Sequence, residues 1–131
     1  GLGDAGDKIF VRIANEVFEP MVRAFKPEMI LVSAGFDSHW NDPITSLGLS
    51  TRGFYDVSKK LVDIAGEYCH GKIVFVLEGG YDPHNVANGV GAVFDALTSR
   101  PLGNEAGDAS PYKEPDFESR LNEICKKHDL I

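Results

Sequence analysis

Two short stretches of the sequence concentrate residue types that do chemistry. The first, Ser33-Ala-Gly-Phe-Asp37-Ser-His39-Trp-Asn-Asp42-Pro43, brings two carboxylates and an imidazole close together in the chain. The second, Leu77-Glu78-Gly79-Gly80-Tyr81-Asp82, projects a phenol behind paired glycines, whose missing side chains let the backbone approach a ligand closely. Each stretch follows an apolar run that reads as a strand, and in open α/β sheets ligands gather at the carboxyl ends of strands. A carboxylate, Asp37, and a phenol, Tyr81, can therefore meet across one pocket. Plainer roles exist for each: Asp37 can cap a turn through its own backbone, and Tyr81 can pack at a helix entry. Asp42 before Pro43 reads as a turn-former that also braces its loop, and Glu78 reads as a loop-bracing carboxylate. His39 and Trp40 either line a pocket mouth or form solvated loop tips. The four histidines, His39, His70, His84 and His128, have no spacing that places two of them in one site.

Other signals lose on inspection. Gly1-Leu-Gly-Asp-Ala-Gly6 fits a dinucleotide-binding glycine pattern, but no strand precedes it and Glu28 stands before a strand instead of ending one. Ser33-Ala-Gly35 is half of a hydrolase nucleophile elbow, yet Leu31 occupies the position that pattern gives to glycine. Cys69 and Cys125 lack Cys-x-x-Cys spacing and read as single thiols, not as a disulfide or a metal knuckle.

The elements that would position the two loops alternate along the chain. From Asp7 to Phe25 apolar residues recur at helical spacing, with Pro20 placed to kink the helix and Pro27 to close it. Met29 to Ala34 is an unbroken apolar run, read as a strand buried on both faces. A second helix, capped by Ser50 or Thr51, runs through Phe54, Val57, Leu61, Ile64, Ala65 and Tyr68, with Gly71 placed to end it. Ile73 to Leu77 is the second strand. Asp82-Pro83 opens a third helix, through Val86, Val90, Val93, Phe94 and Leu97. The order αβαβα implies an α/β domain of parallel strands joined by a right-handed crossover, with helices on the sheet faces. Arg100 to Lys113 has loop composition, and Phe117, Leu121, Ile124 and His128 line one face of a short terminal helix.

Composition narrows the classes further. The chain has 131 residues, 43% of them apolar and 25% charged, which describes one globular domain or a piece of one. Its net charge of −7 repels phosphate backbones and anionic lipid, which argues against direct nucleic-acid binding. No apolar run approaches the ~20 residues of a bilayer-spanning helix, so no membrane span is expected. Unpaired cysteines fit an intracellular compartment, cytoplasm or nucleus, with an organelle as a further alternative. The chain starts at Gly1 without Met or a signal-like segment, and truncation or processing of what precedes it is the expectation.

Residues 33 to 43 and Leu-Glu-Gly-Gly-Tyr at 77 to 81 closely resemble the two C-terminal signatures of zinc-dependent histone deacetylases. The resemblance is nearest to the class II branch and the related bacterial acetylpolyamine and acetoin-utilisation proteins. The linking stretch Leu47-Gly-Leu-Ser-Thr-Arg-Gly-Phe-Tyr55, and Gly3-Asp4 ahead of a helix, look like that family in order and spacing, so that nearly all of the chain through Leu97 is covered. The resemblance implies the C-terminal portion of an arginase/deacetylase-type parallel-sheet domain. Residues 1-100 would be catalytic-domain sequence, and 101-131 a surface connection and terminal amphipathic helix of the same domain.

Carried over by position, Asp37 corresponds to an aspartate ligand of the family's catalytic Zn2+, and Tyr81 to the tyrosine that hydrogen-bonds the substrate carbonyl. Gly79, Gly80, Asp42 and His39 are then candidates for lining or supporting the pocket. These roles suit the residue types. A carboxylate is a proper zinc ligand, zinc-bound water reaches a pKa near ~7, and a phenol with an ordinary pKa near ~10 stays protonated to donate to an oxyanion. The implied reaction is hydrolysis of N-acetyl amides on a lysine-bearing protein or a polyamine. The family's other two zinc ligands and its paired histidines belong to its earlier half, and no His-His pair occurs here. The chain alone is thus expected to be an inefficient hydrolase that needs the missing N-terminal part of the domain, or that self-associates. The competing class is a short, non-catalytic form that acts as a binding or oligomerisation module.

Overall fold

The computed structural model describes residues 4–103 and 109–130. Gly1 to Gly3 lie outside the described residues, and with them the start of the glycine pattern and Gly3 of the Gly3-Asp4 opening; so does part of the expected connection from Arg100 to Lys113.

The helical periodicity from Asp7 to Phe25 is realised in three consecutive pieces: α1 (Asp7–Ile13), a π-helical stretch (Ala14–Phe18) and α2 (Glu19–Phe25). Pro20 has no N–H to give to the carbonyl four residues back, that of Glu16, and the widened turn lies directly ahead of it. The Glu16 carbonyl instead accepts the Cys125 thiol at 3.6 Å. Lys26, left-handed at φ 55°, ends α2 just before Pro27.

The remaining elements are β1 (Ile30–Ala34), α3 (Thr51–Tyr68), β2 (Ile73–Leu77), α4 (Pro83–Leu97) and α5 (Glu118–Lys127). The strands are parallel neighbours, Ile30 opposite Ile73 and Ala34 opposite Leu77, with α3 as the crossover between them. Of the two candidate caps for α3, Ser50 serves: its hydroxyl accepts the Gly53 amide at 3.1 Å. Ser50 is itself held by Asp7 of α1, whose carboxylate accepts the Ser50 amide at 2.8 Å and its hydroxyl at 2.6 Å. A Cβ at Gly53 would lie 2.0 Å from that carboxylate, so the brace requires glycine there. His70 and Gly71 both turn left-handed, and the Gly71 amide closes on the Ala65 carbonyl.

Three apolar clusters hold these pieces together. Ala5, Ile9 and Val17 pack on Phe117, Leu121 and Cys125, which docks α5 against α1 and the π stretch. Val22 and Ile30 pack on Ile64, Ala65 and Cys69. Phe36, Leu49 and Phe54 pack on Ala92 and Val93 of α4. Both cysteines are buried and free, in line with single thiols.

Two expectations need correction. The apolar runs predict strands covered on both faces, whereas the helices cover one: Ile30, Val32, Ile73 and Phe75 face them, and Leu31, Val74 and Val76 are exposed. The periodicity of α4 predicts an inward stripe that includes Phe94 and Leu97, whereas both are exposed. The face of α4 that is buried carries Asn85, Gly89, Ala92, Val93 and Ala96: Gly89 leaves room for the Phe36 ring, which a Cβ there would meet at 2.3 Å, and the small residues beyond it let α4 lie close against α3.

Candidate functional site

Parallel pairing brings the carboxyl ends of β1 and β2 side by side, and the ladder continues past both strands. The Glu78 amide donates to the Ala34 carbonyl at 3.1 Å, and the Phe36 amide to the Gly79 carbonyl at 2.7 Å. The loop carrying Asp37 and the loop carrying Tyr81 therefore leave the sheet already joined. Phe36 plugs the space beneath them, edge-on to Phe54 with ring centroids 5.2 Å apart.

Asp37 is half-buried, and its carboxylate lies directly over the backbone of the other loop. A Cβ at Gly79 would lie 2.7 Å from Asp37 Oδ2, too close for any side chain. Gly80 adopts φ 139°, a backbone state open to glycine, and a Cβ there would meet Val86 at 2.5 Å. The paired glycines thus make room for the carboxylate and turn the chain so that Tyr81 emerges at the surface, 54% exposed.

Asp42 does more than form a turn. Its Oδ1 accepts the Ile44 amide at 2.9 Å, the local turn the sequence predicts, while its Oδ2 accepts the Tyr81 amide at 3.0 Å. His39, read as a pocket-mouth residue or a loop tip, lies instead in the interior at 2% exposure. Its ring stacks on Phe54 at 6.3 Å, and its Nδ1 accepts the Asn41 amide at 3.2 Å. His70, His84 and His128 are exposed; His84 stands in the first turn of α4, three residues past Tyr81, while His70 follows α3 and His128 follows α5.

Three further residues shape the site without having shown themselves in the sequence. Thr45 donates its hydroxyl to the Asp37 carbonyl. Asn85 is buried in the first turn of α4, where its amide bonds Asp82 at 2.9 Å and its side chain reaches the Asn41 carbonyl at 3.3 Å. Asp7 holds the cap of α3. The Asn85–Asn41 and Asp7–Ser50 bonds span 44 and 43 residues, which no local pattern encodes, and the Thr45–Asp37 bond spans eight.

A zinc ion would find one fitting donor here, the Asp37 carboxylate. Among the described residues no group of three His, Cys, Asp or Glu is arranged to hold a metal, so these residues do not make a zinc site by themselves. Among them, too, no helix is long and apolar enough to cross a membrane.

Comparison with known proteins agrees with the geometry. A model of the histone deacetylase domain matches residues 3–97. Histone deacetylase 14, chloroplastic, of Arabidopsis thaliana is 39% identical over 115 residues, which cover 88% of this chain and 26% of that protein. Histone deacetylase 10, chloroplastic, of Oryza sativa subsp. japonica is 38% identical over 115 residues, 86% of this chain and 26% of that protein. A probable deacetylase of Archaeoglobus fulgidus is 46% identical over 76 residues, 58% of this chain and 21% of that protein. The solved structure of the histone deacetylase Clr3 superposes with a TM-score of 0.77 at 24% identity, over 95% of this chain and 20% of that one. The α/β fold is thus shared, and the chain spans about a quarter of the length of these curated relatives.

Proposed function

Because the chain belongs to the histone deacetylase domain family, we propose that it supplies two working groups of a zinc-dependent hydrolase of N-acetyl amides, Asp37 and Tyr81. The observation that carries this reading is the seating of the Asp37 carboxylate on Gly79, two residues before Tyr81, at the joined carboxyl ends of two parallel strands. Asp37 is the carboxylate this chain would give to a zinc site, whose other ligands and histidine bases would come from residues beyond those described. Tyr81 is the hydrogen-bond donor. Its hydroxyl sits on an exposed side chain at the sheet edge and would meet the acetyl carbonyl oxygen as negative charge builds there. Acetyl-lysine of a protein, or an acetylpolyamine, is the substrate class that fits the family.

The test is Tyr81→Phe in a polypeptide that joins this sequence to the remaining ligands, assayed on an acetyl-lysine peptide and on an acetylpolyamine. Loss of a donor that acts on the oxyanion lowers kcat by about 100- to 1000-fold with KM little changed. An unchanged kcat would remove Tyr81 from the mechanism. One observation favours a second reading, a non-catalytic module that acts by binding: the apolar sheet face of Leu31, Val74 and Val76 is open to a partner.

A further inference from the structure

What holds Tyr81 in place is not its own stretch of chain alone. Two glycines precede it, one of them at φ 139°, and the tyrosine is 54% exposed, so its own stretch restrains it from the far side only, where the Asp82 cap and Pro83 start α4. A direct bond to its own amide comes from the neighbouring loop. Asp42 is 8% exposed, and its carboxylate divides between the loops, Oδ1 to the Ile44 amide and Oδ2 to the Tyr81 amide. Thr45, whose amide reaches Oδ1 at 3.4 Å, donates its hydroxyl to the carbonyl of Asp37. A continuous run of hydrogen bonds therefore links the backbone of Asp37, through Thr45 and Asp42, to the backbone of Tyr81. Asn85, bonded to the Asn41 carbonyl and to the Asp82 cap, ties the same two loops beside it.

We propose that Asp42 is a positioning residue for Tyr81, fixing the phenol relative to the Asp37 carboxylate through its bond to the Tyr81 amide. This rests on the reading of Tyr81 as the donor to the substrate carbonyl. Misplacing such a donor by about 1 Å is enough to cost roughly 100-fold in rate. Hydrogen bonds to a buried charge are the strong ones, and half of this carboxylate is committed to the other loop.

Asp42→Ser separates this role from turn formation. A serine hydroxyl can still bond the amide two residues on, but is too short to reach Tyr81. In the 131-residue chain, hydrogen exchange at the Tyr81 amide should then quicken by about 10- to 100-fold, the usual weight of a bond to a charged acceptor, while Ile44 and the α4 amides hold. Labelling with 3-fluorotyrosine gives a second readout, since the chain has four tyrosines and Tyr81→Phe assigns the signal. The Tyr81 resonance alone should shift in Asp42→Ser and in Asp42→Asn, with those of Tyr55, Tyr68 and Tyr112 in place. Unchanged Tyr81 exchange and fluorine signal would overturn the proposal. So would collapse of all four signals in both variants, which would make Asp42 a general folding residue. In the kinetic assay, Asp42→Ser should lower kcat and have no further effect in the Tyr81→Phe background; an additive loss would again overturn it. If Tyr81→Phe itself leaves kcat unchanged, the catalytic reading fails while the exchange result stands.

Discussion

Gly79 is glycine because the Asp37 carboxylate occupies the space where its side chain would be. In Gly79→Ala the added carbon meets Oδ2 at 2.7 Å, and either the Asp37 carboxylate or one of the two loops has to move. Overpacking of this kind costs about 1–3 kcal/mol, which urea denaturation of the variant would read. Gly66, on the exposed side of α3, has nothing within 4 Å and is the matching control. There, alanine should stabilise the chain by about 0.5–1 kcal/mol, since glycine is the poorer helix former. Metal binding is also argued at the scale of residues. A single carboxylate does not reproduce a site with three protein ligands, so zinc titrated into the chain alone should bind weakly. A tight one-to-one complex lost in Asp37→Ala would show that further ligands exist, with His39 and His84 the first to test.

Among the elements, α1 depends most on a distant part of the chain. Gly6 caps it without a side chain, and the Glu114 carboxylate supplies what is missing by accepting the Lys8 amide at 3.0 Å and the Ile9 amide at 2.9 Å. Beside it Arg12 bonds Glu16 and Glu118, which joins α1 to the π stretch and to α5 and holds the Glu16 carboxyl below its ordinary range. Residues 109–130 thus lie beyond the family match yet complete the start of the fold. Glu114→Ala should cost about 0.5–2 kcal/mol, as the loss of a helix cap does. Phe117→Ala, which empties a buried aromatic site, should cost about 3–5 kcal/mol. Thermal melts of the two variants would check both the order and the sizes. Equal small effects would mean that the terminal helix is an accessory and not part of the core.

At the scale of the molecule, the sheet is the exposed liability. Among the described residues it has two strands, so each has a free edge, and Leu31, Val74 and Val76 present an apolar face opposite the helices. Phe25, 82% exposed, and Met29 extend the apolar surface beside β1. The chain should therefore self-associate at micromolar concentration, and sedimentation would show it. Leu31→Lys combined with Val76→Lys should return it to a monomer, because charges on that face oppose pairing. A wild-type monomer whose β1 and β2 amides are strongly protected would show instead that this piece stands alone.

The local features were open to reading from the sequence by itself. Apolar spacing marks the helices, unbroken apolar runs mark the strands, Asp82-Pro83 marks the start of α4, and the loop residues around Asp37 and Tyr81 mark the family. These depend on neighbours in the chain, and short-range physics suffices to recognise them. The tertiary structure decided the rest. Which face of α4 packs depends on α3 and on Phe36, and the small residues Gly89, Ala92 and Ala96 lie inside in place of Phe94 and Leu97. Whether an apolar strand is covered on both faces depends on what packs against it, not on the strand. His39 lies inside with its ring stacked on Phe54, and Asp42 reached Tyr81 because parallel pairing of β1 with β2 set their loops side by side. Such contacts join residues tens of positions apart, and a carboxylate's type says that it will accept a hydrogen bond without saying whose.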